Sequence, residues 1–240
     1  MNKKIILSII MALAVISVSS AQNVDQILNK HFEAVGQQNL LKIHSIKSTG
    51  KAESMGMEMN FSMYIKRPAK VKILLQAEGA KIIRAFDGDT VWQINPMIGF
   101  SDPVDMTGSE ADALKENADM DGQLWQYKEK GYQLALEGTE EVNGNECYVL
   151  KLTKKNDNTD YYYLDTASYL VRKVRTTADI NGTPIDVDVL FSNFQDVDGY
   201  IMPFTTEQQL GGQTMMTYQL EKVETNVDMD DSIFSKPAGN

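Results

Sequence analysis

The chain has 240 residues, and 33 acidic side chains against 23 lysines and arginines give it a formal net charge of −10. That acid excess argues against a nucleic-acid surface and against rest on anionic lipid, while it suits a basic protein partner. A single cysteine, Cys147, excludes an internal disulfide, so an apolar core must hold the fold unaided.

The first element in chain order reads as an export signal. Asn2, Lys3 and Lys4 open it, Ile5 to Val18 is apolar apart from Ser8 and Ser17, and Ser19-Ser20-Ala21 sets small residues before Gln22. The apolar run is shorter than the ~20 residues of a bilayer span. Cleavage after Ala21 would leave residues 22–240 as one domain and, with Lys3 and Lys4 gone, a charge of −12 instead of −10. No cysteine stands at the new terminus to take a lipid, so a soluble exported chain is expected.

Val24, Ile27, Leu28, Phe32 and Val35 then recur at helical spacing, with Asn23 or Asp25 as N-cap and Gly36 as the stop. A short second helix is expected over Gln38 to Lys42. From Ile43 the period becomes two. Met55, Met57, Met59, Phe61, Met63 and Ile65 alternate with a largely polar set, which predicts a strand with one apolar face ending at Lys66-Arg67-Pro68. Val71, Ile73, Leu75 and Ala77 continue the pattern. Ile82 to Phe86 and Thr90 to Ile94 follow, joined through Asp87-Gly88-Asp89.

From Asn95 to Lys130 the pattern breaks. Pro96, Gly99, Pro103 and Gly108 punctuate a long loop, Ser109 to Ala118 reads as a helix capped by Ser109, and Asp121 to Tyr127 as another. So long an excursion suits a lid or binding loop. Strands resume at Tyr132 to Leu136, Cys147 to Thr153, Tyr161 to Asp165, Tyr169 to Thr176, Ile185 to Phe191, Phe204 to Leu210 and Met215 to Val223. Asn143-Gly144, Asn181-Gly182 and Gly211-Gly212 mark hairpin turns. About a dozen strands in series imply a mainly β fold, one meandering antiparallel sheet that curls. Two or three short helices are too few to cover its apolar face, which leaves an apolar hollow. The flexible methionine thioethers suit a surface that must adapt to varied ligands.

Catalytic chemistry has little footing. His31 and His44 belong to no metal motif and read as surface or packing residues, and Cys147 reads as a buried, inert thiol. No nucleophile elbow or phosphate-cradling glycine loop is present, and no cofactor is implied. Asp119-Met120-Asp121-Gly122 and Asp196-Val197-Asp198-Gly199 lack the remaining ligands of a calcium loop and read as turns. Asp228, Asp230 and Asp231 read as a solvated acidic tail.

Three segments resemble the LolA family of periplasmic lipoprotein carriers: Tyr64-Ile65-Lys66-Arg67-Pro68, Phe86 to Pro96 with Asp87-Gly88 and Trp92-Gln93-Ile94-Asn95-Pro96, and Phe234-Ser235-Lys236-Pro237-Ala238-Gly239. The resemblance implies an unclosed half-barrel of about eleven strands, strongly curved, with short helices as its lid. It implies a monomeric periplasmic carrier, not an enzyme, that takes acyl chains of lipoproteins or lipids from an inner-membrane exporter to an outer-membrane receptor. An envelope sensor that detects mislocalised lipoproteins is the alternative. The hollow would be lined by Met55, Met57, Met59, Phe61, Met63, Ile65, Val71, Ile73 and Leu75. Arg67, which maps onto the family's important arginine, would gate the lid with Leu124 and Trp125. Trp92, Asn95 and Pro96 are expected to be structural.

Overall fold

The computed structural model describes residues 24–77, 79–180 and 183–238. The expected export segment, the expected Asn23 cap and the expected Asn181-Gly182 turn lie outside these residues. Two helices open the described chain, α1 over residues 24–35 and α2 Gln37–Leu40. Six strands follow: β1 Ser45–Ser54, β2 Met57–Lys66, β3 Lys70–Ala77, β4 Ala80–Phe86, β5 Val91–Asn95 and β6 Phe100–Asp105. Helix α3, Gly108–Asn117, leads through turns over residues 118–131 to seven more. These are β7 Gln133–Val142, β8 Asn145–Thr153, β9 Thr159–Asp165, β10 Val171–Ile180, β11 Thr183–Val197, β12 Tyr200–Leu210 and β13 Gln213–Thr225.

All thirteen strands join one antiparallel sheet in the order β6-β5-β4-β3-β2-β1-β13-β12-β11-β10-β9-β8-β7. It is mainly β, as the spacing predicts, and unclosed, as the resemblance implies, with two more strands than the implied eleven. The order shows two meanders, β1–β6 and β7–β13, fused where β1 pairs with β13. That fusion leaves β6 and β7 as the two free edges. The chain between them carries α3, so this connection must cross the gap that the open sheet leaves.

Several expectations need correction. Met55 lies outside β2. It sits with Gly56 in the β1–β2 turn at φ 51° and 77°, the left-handed pair that a two-residue type I′ hairpin requires. β6 was expected as loop because of Pro103. It forms because an edge strand tolerates a missing N–H, and its pairing with β5 passes from Val104 directly to Phe100. The helix expected over Ser109 to Ala118 starts one residue earlier, and its N-cap is Thr107, not Ser109. Residues 121–127 form turns instead of a helix, and Asp25 lies within α1 instead of capping it.

Two glycines are fixed by close approach. A Cβ on Gly36, at φ +72°, would lie 2.0 Å from the Gly199 carbonyl oxygen. One on Gly50 would lie 2.0 Å from the Gln219 oxygen, at the bulge where β1 changes register against β13. Both let the backbone pack where no side chain fits.

The C-terminal segment is a strap, not a solvated acidic tail. Asp231 pairs with Lys66 at 2.7 Å and Lys70 at 2.9 Å, and these two ammonium groups pull its carboxyl down to about 2. Asp230 accepts the Ser232 N–H, Lys72 donates to the Ile233 oxygen, and Phe234 is fully buried. Trp92 Nε1 donates to the Phe234 oxygen at 2.8 Å. The three segments that carry the resemblance therefore meet on the convex side of β2–β5, and Trp92 is structural as expected.

Candidate ligand-binding hollow

Strand alternation divides the residues of β2–β5 between two faces. The polar set of β2 and Lys70, Lys72, Leu74, Ile83, Ala85, Trp92 and Ile94 face the convex side under the strap. Met59, Phe61, Met63 and Ile65 face the concave side, beside Leu75, Ile73 and Val71 on β3. Met59, Phe61, Leu75 and Ala52 form a buried cluster flanked by Met63, Ile73, Met216, Tyr218 and Leu220. The Phe61 and Tyr218 rings meet edge-on with centroids 5.0 Å apart. Of the expected lining, these residues come together. Met55 and Met57 do not. They project from the hairpin tip, 91% and 45% exposed.

Helix α3 covers one end of the concave face. Ala111, Leu114 and Ala118 pack on Val71, Phe86 and Val91, with Ile65 and Ile73 alongside. From its far side Glu116 reaches across to Lys154, in the turn between β8 and β9, at 2.7 Å, and Lys154 also holds Asp160 at 2.8 Å. Burial pushes the Lys154 ammonium down, but its hydrogen bonds with Asp160 and Glu116 outweigh that and hold it above its ordinary value. The helix thus ties the two halves of the sheet together across the gap.

Arg67, at the end of β2, secures the following segment. Its guanidinium forks onto Asp121, with Nη1 2.9 Å from Oδ2, while Nε donates to the Ile43 oxygen at 2.7 Å and Nη2 to the Leu40 oxygen at 3.2 Å. One side chain therefore joins β2, the α2–β1 connection and the crossing segment. The same segment buries Leu124 among Val24, Ile27 and Leu28 of α1 and Leu150, Leu152 and Leu164 of the sheet. Trp125 packs edge-on against Phe32, with centroids 4.9 Å apart. His31 is buried in that seat, its Nδ1 2.8 Å from the Tyr169 oxygen, and burial holds its pKa below the ordinary 6.5. Asp119 pairs with Lys130, and Asp196 accepts the Gly199 N–H in a turn. Cys147 lies on the convex side, where burial pushes its thiol up to about 11.

The opposite edge of the concave face is greasy. Among the described residues, Met55, Met57, Met97, Ile98, Phe100 and Met215 are the exposed large apolar side chains. All stand at the tips of hairpins β1–β2, β5–β6 and β12–β13. The registers place these tips on one rim, away from α3, and Ser54 Oγ donates to the Met215 oxygen across it. A shallow groove of about 280 Å³ near this rim, lined by Lys51, Glu58, Asn60, Gln76 and Ala77, is polar and differs from the expected apolar hollow.

Sequence reasoning passed over Arg84 and Gln93. Positions 82, 84 and 86 of β4 and 91, 93 and 95 of β5 share the concave face, so Arg84, Gln93 and Asn95 interrupt an apolar parity. Scanning each strand for the odd polar residue on its apolar side would have found them. Asn95, read as structural, belongs with this group.

Among the described residues no helix is long and apolar enough to cross a membrane. A family model described as that of an uncharacterized protein matches residues 93–238. No curated protein matches the chain. Solved structures do. A DUF1329 family protein from Desulfovibrio piger superposes with a TM-score of 0.59 at 16% identity, over 87% of this chain and 97% of its own. A LolA superfamily protein from Nitrosomonas europaea gives 0.57 at 16%, over 90% and 98%. A domain provisionally assigned as an outer membrane lipoprotein-sorting protein, from Vibrio parahaemolyticus, gives 0.55 at 15%, over 85% and 96%.

Proposed function

Since the chain belongs to the family whose model spans residues 93–238 and has the LolA-like fold, we propose that it is a periplasmic carrier of acylated molecules. Acyl chains of lipoproteins or lipids enter at the methionine-rich rim and lie along the concave face of β1–β4 and β13. The crossing segment, held by Arg67, shields them from water on the way to the outer membrane.

The rim carries this reading. Six large apolar side chains exposed along one edge of a hollow are costly in water and useful where an apolar ligand enters. Each methylene transferred from water to such a surface is worth about 0.8 kcal/mol, so a long acyl chain brings roughly 10 kcal/mol to the site. Methionine accommodates it without a fixed shape. Ion pairs from Glu116 and Asp121 supplement the apolar packing of α3 and Leu124, and opening the cover requires both to part.

Native mass spectrometry of the protein isolated from the periplasm of its own cells tests this. Co-purified lipid or an acylated protein is the expected result. A bare mass, together with no uptake of a fluorescent acyl probe, would sink the carrier reading.

A further inference from the structure

Four buried side-chain atoms have no hydrogen-bond partner among the described residues: Ser48 Oγ, Arg84 Nε, Gln93 Oε1 and Asn95 Oδ1. The strand registers place them on one face of the sheet, with Arg84 and Gln93 on neighbouring strands and Ser48 three strands from Arg84. Ser48 opposes Met63, Met63 opposes Ile73, Ile73 opposes Arg84, and Arg84 opposes Gln93. They therefore lie in one row across the concave face, and Asn95 begins the next row. Gln93 and Asn95 are each only 7% exposed. The row lies beside the Val71–Phe86–Val91 row that α3 covers, on the side facing the rim.

Arg84 makes no ion pair or side-chain hydrogen bond within the described residues, although acidic side chains are abundant in the chain. A guanidinium on an apolar face costs desolvation that a leucine there would avoid. Its charge is felt inside the hollow. Burial raises the Tyr218 phenol above its ordinary value, and Arg84 draws it partly back. Tyr218 lies on β13, four strands away in the sheet, in the concave-face cluster with Met59, Phe61 and Leu75.

We propose that Arg84, Gln93 and Asn95 form a head-group site for an anionic amphiphile. The guanidinium takes a phosphate-type oxygen, and the amide oxygens accept from hydroxyl or amide N–H groups beside it. An acyl-glycerol phosphate has this chemistry. The proposal rests on the carrier reading and adds the polar half of the ligand.

The test displaces a fluorescent acyl probe from the protein with palmitoyl-glycerol phosphate or with monopalmitoylglycerol, which differ only in the phosphate. The native protein should bind the phosphate form about tenfold more tightly, the scale of one hydrogen-bonded charge. Arg84→Met should erase that preference and leave the neutral lipid's affinity unchanged, and Arg84→Lys should keep part of it. Gln93→Leu is the second variant, expected to weaken both lipids through their shared hydroxyls. Circular dichroism verifies that each variant is folded. Equal binding of the two lipids by the native protein, or an Arg84→Met variant that keeps the preference, overturns the head-group site alone. Binding of neither lipid overturns the carrier reading and this inference with it. Inorganic phosphate binding as tightly as the lipid assigns the residues to a free anion and overturns the head-group role.

Discussion

The two faces of β3–β5 are finished in opposite ways. On the convex side Leu74, Ile83, Ala85, Trp92 and Ile94 form an apolar layer that the C-terminal strap seals, and the polar groups of that seal have partners. On the concave side the same strands carry Arg84, Gln93 and Asn95, whose Nε, Oε1 and Oδ1 atoms are buried without a hydrogen-bond partner among the described residues. The row beside them is covered by a crossing segment held by apolar packing and by ion pairs. Both layers are equally within reach of folding, yet one is closed within the chain and the other is left for something else. The convex face is built for stability, and in the proposed carrier the concave face serves exchange.

Breaking the seal should have the largest effect. Phe234→Ala removes a fully buried ring from the convex layer. Urea denaturation should show a loss of about 3–5 kcal/mol. A loss below about 1 kcal/mol would mean that the strap is incidental.

Breaking the concave cover should cost less and act on exchange. Arg67→Leu strands Asp121 and the Leu40 and Ile43 carbonyls. The pair keeps some solvent exposure, so a loss of about 2–3 kcal/mol is expected, with faster release of an acyl probe in stopped-flow fluorescence. Arg67→Leu combined with Asp121→Leu should be milder than the sum of the single changes. Additive effects would show that the two side chains do not act as one latch.

Acid should loosen α1 from the same face. The folded pKa of His31 lies below the unfolded 6.5, so its neutral form stabilises the fold fully above that pH. As pH falls from 6.5 through the folded pKa, the unfolded chain binds the extra proton and stability declines, by at most about 1.4 kcal/mol per pH unit. A melting-temperature profile should lose this component in His31→Gln. An unchanged profile would place the acid sensitivity elsewhere.

The smallest effect sharpens the rim. Met55 occupies a left-handed turn position at φ 51° and makes little contact. Met55→Asn should raise stability by about 0.5–1 kcal/mol in thermal melts, because asparagine tolerates that backbone better. The same change should slow acyl uptake. Faster uptake would remove Met55 from the entrance.

Much of this architecture was legible in the residues alone. Period-two alternation at Met57 to Ile65 and Val71 to Ala77, and the turn pairs at Asn143-Gly144 and Gly211-Gly212, are local signals. They specify strands, faces and hairpins because backbone geometry depends on near neighbours. The lid region was legible only as a break in pattern, since Pro103 hides an edge strand and residues 121–127 fold around partners distant in sequence.

The sequence by itself therefore determined that the protein is a long antiparallel sheet whose strands carry an apolar face, and that Arg67 stands at the end of one of them. Only the tertiary structure decided that β1 meets β13, that the connection between the free edges β6 and β7 crosses the gap, and that Arg84 and Gln93 share a row with Ser48 while Asn95 begins the next. Those outcomes depend on register and curvature, which arise from pairing between segments far apart in the chain and leave no periodic trace in any one of them.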